Sequence, residues 1–110
     1  MPVRNAIAAM QDEFARYRRE LHSNPQTSYE EEYASTFVQQ KLDEWGISYK
    51  TGYGVTGVVA TIEGASNDSG RAIGLRADMD ALDIDEQTGL DHASQNPGKM
   101  HACGHDGHTT

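Results

Sequence analysis

Apolar residues at Ile7, Met10, Phe14, Tyr17 and Leu21 recur in steps of three and four, with Arg16, Arg18, Arg19 and Glu20 mostly off that line. Such spacing predicts one amphipathic helix with a single buried stripe. Pro25 disfavours the helical conformation at Asn24 and lacks a backbone donor, so His22 to Thr27 reads as a loop. Ser28 with Glu31 three residues on has the form of a capping box, and Ala34, Phe37, Val38, Leu42 and Trp45 give a second helix its buried face. Gly46 is placed to stop it.

From Ile47 the period changes. Ile47 to Lys50 reads as a short strand, Gly52-Tyr53-Gly54 as a turn, and Val55 to Ile62 as a β-branched strand. Gly64 to Gly70 is a polar turn, and Ala72 to Leu75 a third short strand that runs into Arg76-Ala77-Asp78-Met79-Asp80. Two helices followed by about three strands are the opening of an α/β layer, not a closed architecture. Three strands would leave open sheet edges, and the polar stretch from Asp85 to Thr110 adds almost nothing apolar. The expectation is an N-terminal portion of a larger α/β domain. No internal repeat or low-complexity segment interrupts it.

Composition narrows the function classes. Seventeen acidic against nine basic residues give a net charge of -8 over 110 residues, which argues against nucleic-acid binding, because phosphate affinity is built from clustered Lys and Arg. No apolar run approaches the roughly 20 residues needed to span a bilayer, and no signal-peptide core is present, so a cytoplasmic location is expected. Trp45 and the tyrosines at 17, 29, 33, 49 and 53 are expected to cover the core. Gly52-x-Gly54-x-x-Gly57 has the letters of a dinucleotide fingerprint, but it precedes a strand instead of leading from one into a helix.

Two clusters carry chemistry. Asp78-x-Asp80 falls at the end of an apolar strand, where open α/β sheets bind ligands; like-charge repulsion would raise one pKa unless a metal or cationic group lies between them. A solvated strand end is the plain alternative, since Asp83, Asp85 and Glu86 continue the acidic run. The second cluster is Cys103-x-His105 with His101 and His108 beside it. The lone cysteine forms no internal disulfide and is a packed thiol, a reactive thiol or a metal ligand. Thiolate and imidazole are the usual donors to zinc and similar ions, and Gly104 and Gly107 let the backbone bend closely around one. A Cys-His nucleophilic pair is the other chemical option. His22, in the first interhelical loop, reads as a surface histidine.

Arg18-Arg19-Glu20-Leu21-His22-Ser23-Asn24-Pro25, Thr56-Gly57-Val58-Val59-Ala60, Gly74-Leu75-Arg76-Ala77-Asp78-Met79-Asp80-Ala81-Leu82 and Met100-His101-Ala102-Cys103-Gly104-His105-Asp106-Gly107-His108-Thr109 together resemble the amidohydrolase branch of the aminoacylase and carboxypeptidase superfamily of co-catalytic metallopeptidases. Hippurate hydrolases, N-acyl-L-amino acid amidohydrolases and plant auxin-conjugate hydrolases belong to that branch. The resemblance runs from about Arg18 to Thr110.

It implies hydrolysis of the amide bond of a small N-acyl amino acid by two divalent ions, zinc or manganese, with no nucleic-acid or membrane partner. Cys103, as the ligand shared between ions, and His105 would bind metal. Asp80 would orient the catalytic groups, and Asp78, His101 and His108 would stand in or near the second shell. The implied fold is a three-layer zinc-peptidase-like catalytic domain, interrupted by a lid domain that often mediates homodimerisation. Residues 1–110 would supply only the first part of the catalytic domain, without the lid. The family's general base, a glutamate of a Glu-Glu pair downstream of the last cluster, is not among them. The chain alone is therefore expected to be inactive, with at most weak metal affinity. Asp83 and Gln26 stand where the family usually has Pro and Glu, which bears on loop shape. The rival readings are a complete small metal-binding module built on Cys103 and His105, and an acidic interaction domain with an unstructured tail.

Overall fold

A computed structural model describes residues 3–110. Its elements run α1 (Asn5–Ala8), α2 (Gln11–Ser23), α3 (Glu32–Glu44), β1 (Tyr49–Tyr53), β2 (Gly57–Ala60) and α4 (His105–Thr109). The single N-terminal helix expected from the apolar stripe is two helices. The chain leaves helical geometry at Met10 (φ -92°, ψ 0°) before α2 begins, and the front of the stripe packs on nothing, with Ile7 and Met10 exposed.

The buried core is the meeting of α2 and α3. Leu21, Ala34 and Phe37 form it, Tyr17 and Met79 pack against it, and the Tyr17 and Phe37 rings meet edge to face at 5.6 Å. Lys41 lies over the Tyr17 ring, 4.7 Å from its centroid. Of the aromatic residues expected to cover the core, Tyr17 does so, whereas Trp45, Tyr29 and Tyr53 are exposed. The described residues contain no helix long and apolar enough to cross a membrane.

The start of α3 is built differently from a capping box. The helix begins at Glu32, and the Tyr33 N–H donates to the Gln26 side-chain oxygen at 2.6 Å, so Gln26 meets one of the unpaired first-turn donors. Ser28 turns instead to Asp80. The end of α3 is as expected: Gly46 adopts φ +66°, its N–H donates to the Asp43 carbonyl, and the Ile47 N–H reaches back to Leu42. This paired closure is the Schellman arrangement that favours glycine.

The strands pair as an antiparallel hairpin, Tyr49 opposite Ala60, with a bulge between Thr51 and Tyr53. β1 runs later than the expected 47–50 segment and β2 is a shorter piece of the expected 55–62 strand, because the reversal occurs at 54–56, where Gly54 and Val55 have positive φ. The third expected strand, 72–75, pairs with nothing among the described residues. Ile73 and Leu75 are 90% and 95% exposed, and a strand without a neighbour has no ladder to hold it. The element order is that of an α/β layer with two hydrogen-bonded strands where about three were expected.

Past Leu75 the backbone ties the chain down again. The Ala81 N–H donates to the Gln26 carbonyl, and Leu82 and Met100 exchange two backbone hydrogen bonds. Residues 78–82 thus lie between the first interhelical loop and the approach to α4. This placement brings Asp78 and Asp80 to the last helix.

Candidate metal centre

Gly104 enters α4 at φ +86°, a left-handed conformation in which glycine meets little penalty, and the chain turns directly into His105. His105 and His108 are three residues apart and therefore share one face of α4. Their rings stack at 5.2 Å. The Thr109 hydroxyl donates to the Asp78 carbonyl at 3.0 Å and draws the helix against the 78–80 segment.

One donor atom from each of Asp78, His105 and His108 lies within 4.8 Å of the others. The Asp78 carboxylate is 2.5 Å from His108 Nδ1 and 3.8 Å from His105 Nε2, and its second partner is the Arg76 guanidinium at 2.9 Å. The hydrogen bond from His108, helped by the positive charge nearby, outweighs desolvation and lowers the Asp78 pKa to about 2. Burial pushes the Asp80 carboxyl upward, but donation from the Ser28 hydroxyl and from His105 more than offsets it, and its pKa is lowered too. Each carboxylate is held ionised by its own hydrogen-bond donors, with Arg76 adding a positive charge beside Asp78.

Asp80 acts on His105 directly. Nδ1 of His105 is 2.9 Å from both the Asp80 carboxylate and the Asp80 carbonyl, so the Nδ1–H donates to acceptors on one residue and the Nε2 lone pair is left facing Asp78. An imidazole held by a carboxylate at one nitrogen is the usual way of aiming the other at a metal. Two imidazoles and a carboxylate also suit an ion of borderline softness such as zinc. An open cleft of ≈ 310 Å³ lies beside them, lined by Ser28, Tyr29, Arg76, Asp78 and Asp80 among others.

The remaining expected residues sit differently. Cys103 is exposed and stands outside the three-donor cluster, and among the described residues it makes no hydrogen bond to a histidine that would mark a nucleophilic pair. His101 is buried, its pKa lowered by desolvation, and its Nδ1 is without a partner.

His22 overturns its expected surface location. It is 2% exposed, with Nδ1 2.7 Å from Asp106 and Nε2 3.0 Å from Glu86. Asp106, 1% exposed, also receives Arg18 Nε at 2.8 Å. Sequence reasoning gave Asp106 no role of its own and read Glu86 as part of a solvated acidic run. The available signal was that His22 directly follows Leu21 and lies one turn from Arg18, at the margin of the apolar stripe and not opposite it.

The profile of peptidase family M20/M25/M40 matches residues 74–110, the stretch that contains Asp78, Asp80, Cys103, His105 and His108. The chain is 50% identical over 95 residues to the IAA-amino acid hydrolase ILR1-like 5 of Arabidopsis thaliana, covering 84% of this chain and 21% of that protein. It is 44% identical over 104 residues to the hippurate hydrolase of Campylobacter jejuni, covering 94% and 27%. The crystal structure of the Bacillus subtilis YXEP protein, a dinuclear metal binding peptidase from the M20 family, superposes with a TM-score of 0.85 at 40% identity, covering 93% of this chain and 28% of that one. The chain spans about a quarter of the length of these relatives. Over residues 74–110 it matches peptidase family M20/M25/M40, and over most of its length it is similar to a solved member of that family.

Proposed function

We propose that this chain is the first part of the catalytic domain of a metal-dependent amidohydrolase that cleaves the amide bond of small N-acyl amino acids, releasing a carboxylic acid and a free amino acid. The observation that carries the reading is the junction of Asp78, His105 and His108, with Asp80 holding the back of His105, in a chain similar to a hippurate hydrolase and an IAA-amino acid hydrolase. Two divalent ions, zinc or manganese, would polarise the amide carbonyl and make a water acidic enough to attack near neutral pH. His105 offers Nε2 to one ion and Asp78 a carboxylate beside it, while Cys103, outside that cluster, is the thiolate that the family resemblance implies as a ligand.

The other roles belong to the chain itself. Asp80 fixes the His105 tautomer and ring plane. Ser28 keeps the second Asp80 oxygen occupied. The Arg76 guanidinium, mostly exposed at the mouth of the cleft, is a cation beside the path of an anionic substrate.

Proton transfer to the leaving amine calls for a carboxylate general base. Asp78 and Asp80 are engaged by histidines, so the 110-residue chain by itself is inactive in this reading. The test compares this chain with the product of its natural reading frame, each supplied with zinc or manganese, for release of free amino acid from N-benzoylglycine and related N-acyl amino acids. Metal-dependent release by the latter alone is expected. No release from any N-acyl amino acid, or release that survives chelation, would overturn the assignment, and turnover by the 110-residue chain would overturn its inactivity. A small metal-binding module is the second reading, favoured by the assembly of three donors within these residues; it requires tight, one-to-one zinc uptake by the chain.

A further inference from the structure

The most heavily buried charges of the molecule lie behind the metal-type cluster, not in it. Asp106 sits on α4 between His105 and His108, and its Oδ2 receives both Arg18 and His22 of α2. His22 passes on to Glu86 through its other nitrogen; the side chains of His22, Asp106 and Glu86 are each no more than 3% exposed. Glu86 in turn accepts the Ser94 N–H and the Thr88 hydroxyl, both at 2.6 Å. The chain of contacts runs from α2 to α4 and to the 86–94 loop without a break.

Two physical points give this network a consequence. A helix of five residues has almost no stability of its own, so the orientation of α4 has to be imposed by its neighbours. Buried carboxylates are tolerated only while their partners stay in place, so the network permits one rotational setting of α4 and penalises others. That setting carries His105 and His108 with it, since they are the residues one before and two after Asp106 on the same short helix.

We propose that Arg18, His22 and Glu86 are positioning residues: through Asp106 they set the angle at which α4 presents His105 and His108 to Asp78. None of the three is itself among the grouped donors. The inference rests on the metal-binding reading of that cluster for its purpose, but the geometry it asserts can be measured without an ion.

The test uses the full 110-residue chain with Asp106→Asn, His22→Gln and Glu86→Gln, and with Ser35→Ala as a control that removes a buried hydrogen bond between α3 and the hairpin. Cobalt(II) is titrated and its visible absorption recorded, and imidazole ¹⁵N shifts report the His105 tautomer in the absence of metal. The expected result is that the three network variants keep the native far-UV circular dichroism, bind cobalt about 10- to 100-fold more weakly and lose the single His105 Nδ1–H tautomer. Ser35→Ala should retain the affinity and the tautomer. Network variants that bind as the unmodified chain does, or a control that weakens equally at the same loss of Tm, would overturn the proposal. If the unmodified chain takes no cobalt, the tautomer alone decides: its retention in Asp106→Asn refutes positioning, its loss supports it. Should Asp106→Asn not fold, Glu86→Gln, at the outer end of the network, is decisive in the same way.

Discussion

Asp80 grips the Nδ1 of His105 through two oxygens, its carboxylate and its own carbonyl, each at 2.9 Å. A side chain and carbonyl that act together fix the position of the ring as well as its tautomer. Replacing Asp80 by Ala leaves the carbonyl alone to hold the imidazole. Zinc affinity measured by competition with a chromophoric chelator should then fall about 10- to 100-fold, with little change in helix content.

The hairpin depends on the absence of a side chain at Gly57. A Cβ there would lie 2.3 Å from the Tyr53 carbonyl oxygen, a backbone atom that cannot swing away. Gly57→Ala should destabilise the chain by about 1–3 kcal/mol in urea unfolding, the cost of forced overpacking.

Gly46 offers a contrast, because nothing lies within 4 Å of where its Cβ would be. The cost of Gly46→Ala is conformational, arising from φ +66°, and about 1–2 kcal/mol is expected. Gly46→Asn should recover part of it, since Asn tolerates the left-handed region. Chemical denaturation of the pair would separate this strain from the steric clash at Gly57.

Acid should weaken the fold in a defined window. Asp78 and Glu86 have ordinary pKa values of 3.8 and 4.5 and are each lowered to about 2. In Glu86 burial opposes the shift, and hydrogen bonds from Thr88, His22 and the Ser94 N–H overcome it. Groups whose pKa is depressed on folding stabilise the native state above their unfolded pKa, and that stability is lost as pH falls toward the folded value. Tm in metal-free buffer should fall gently below about pH 6.5, where buried His101, its pKa lowered by desolvation, resists the proton its unfolded form takes up, and more steeply between about 4.5 and 2. Glu86→Gln should start lower and decline less steeply.

Ile73 and Leu75 stand almost fully in water, near Val59 and Ile62, which are also exposed. Apolar surface of this kind is prone to self-association. Ile73→Lys should reduce dye binding by the purified chain and its light scattering at high concentration, while changing its stability to urea by no more than about 0.5 kcal/mol.

Local periodicity made the helices legible. The run from Phe14 to Leu21 and the one from Ala34 to Leu42 follow the helical period, and Gly46 marks its own stop. The hairpin could be read in kind but not in position, since its reversal rests on positive φ at Val55, a residue with no preference for it. The break at Met10 and the unpaired 72–75 segment depend on what packs alongside, which spacing cannot express. In the site, His105 and the Asp78-x-Asp80 pair announced themselves by residue type. The burial of His22 did not, because its partners Glu86 and Asp106 lie 64 and 84 residues further along.

That separation also bears on the order of events in folding. Loop closure over 84 residues must precede the contact between His22 and Asp106, whereas the helices and the hairpin form from neighbours in sequence. The setting of the histidine face of α4 depends on that long-range contact, and is fixed only when α2 and α4 have met. An ion that binds there would act as a latch on the completed chain, slowing its unfolding far more than it hastens its folding.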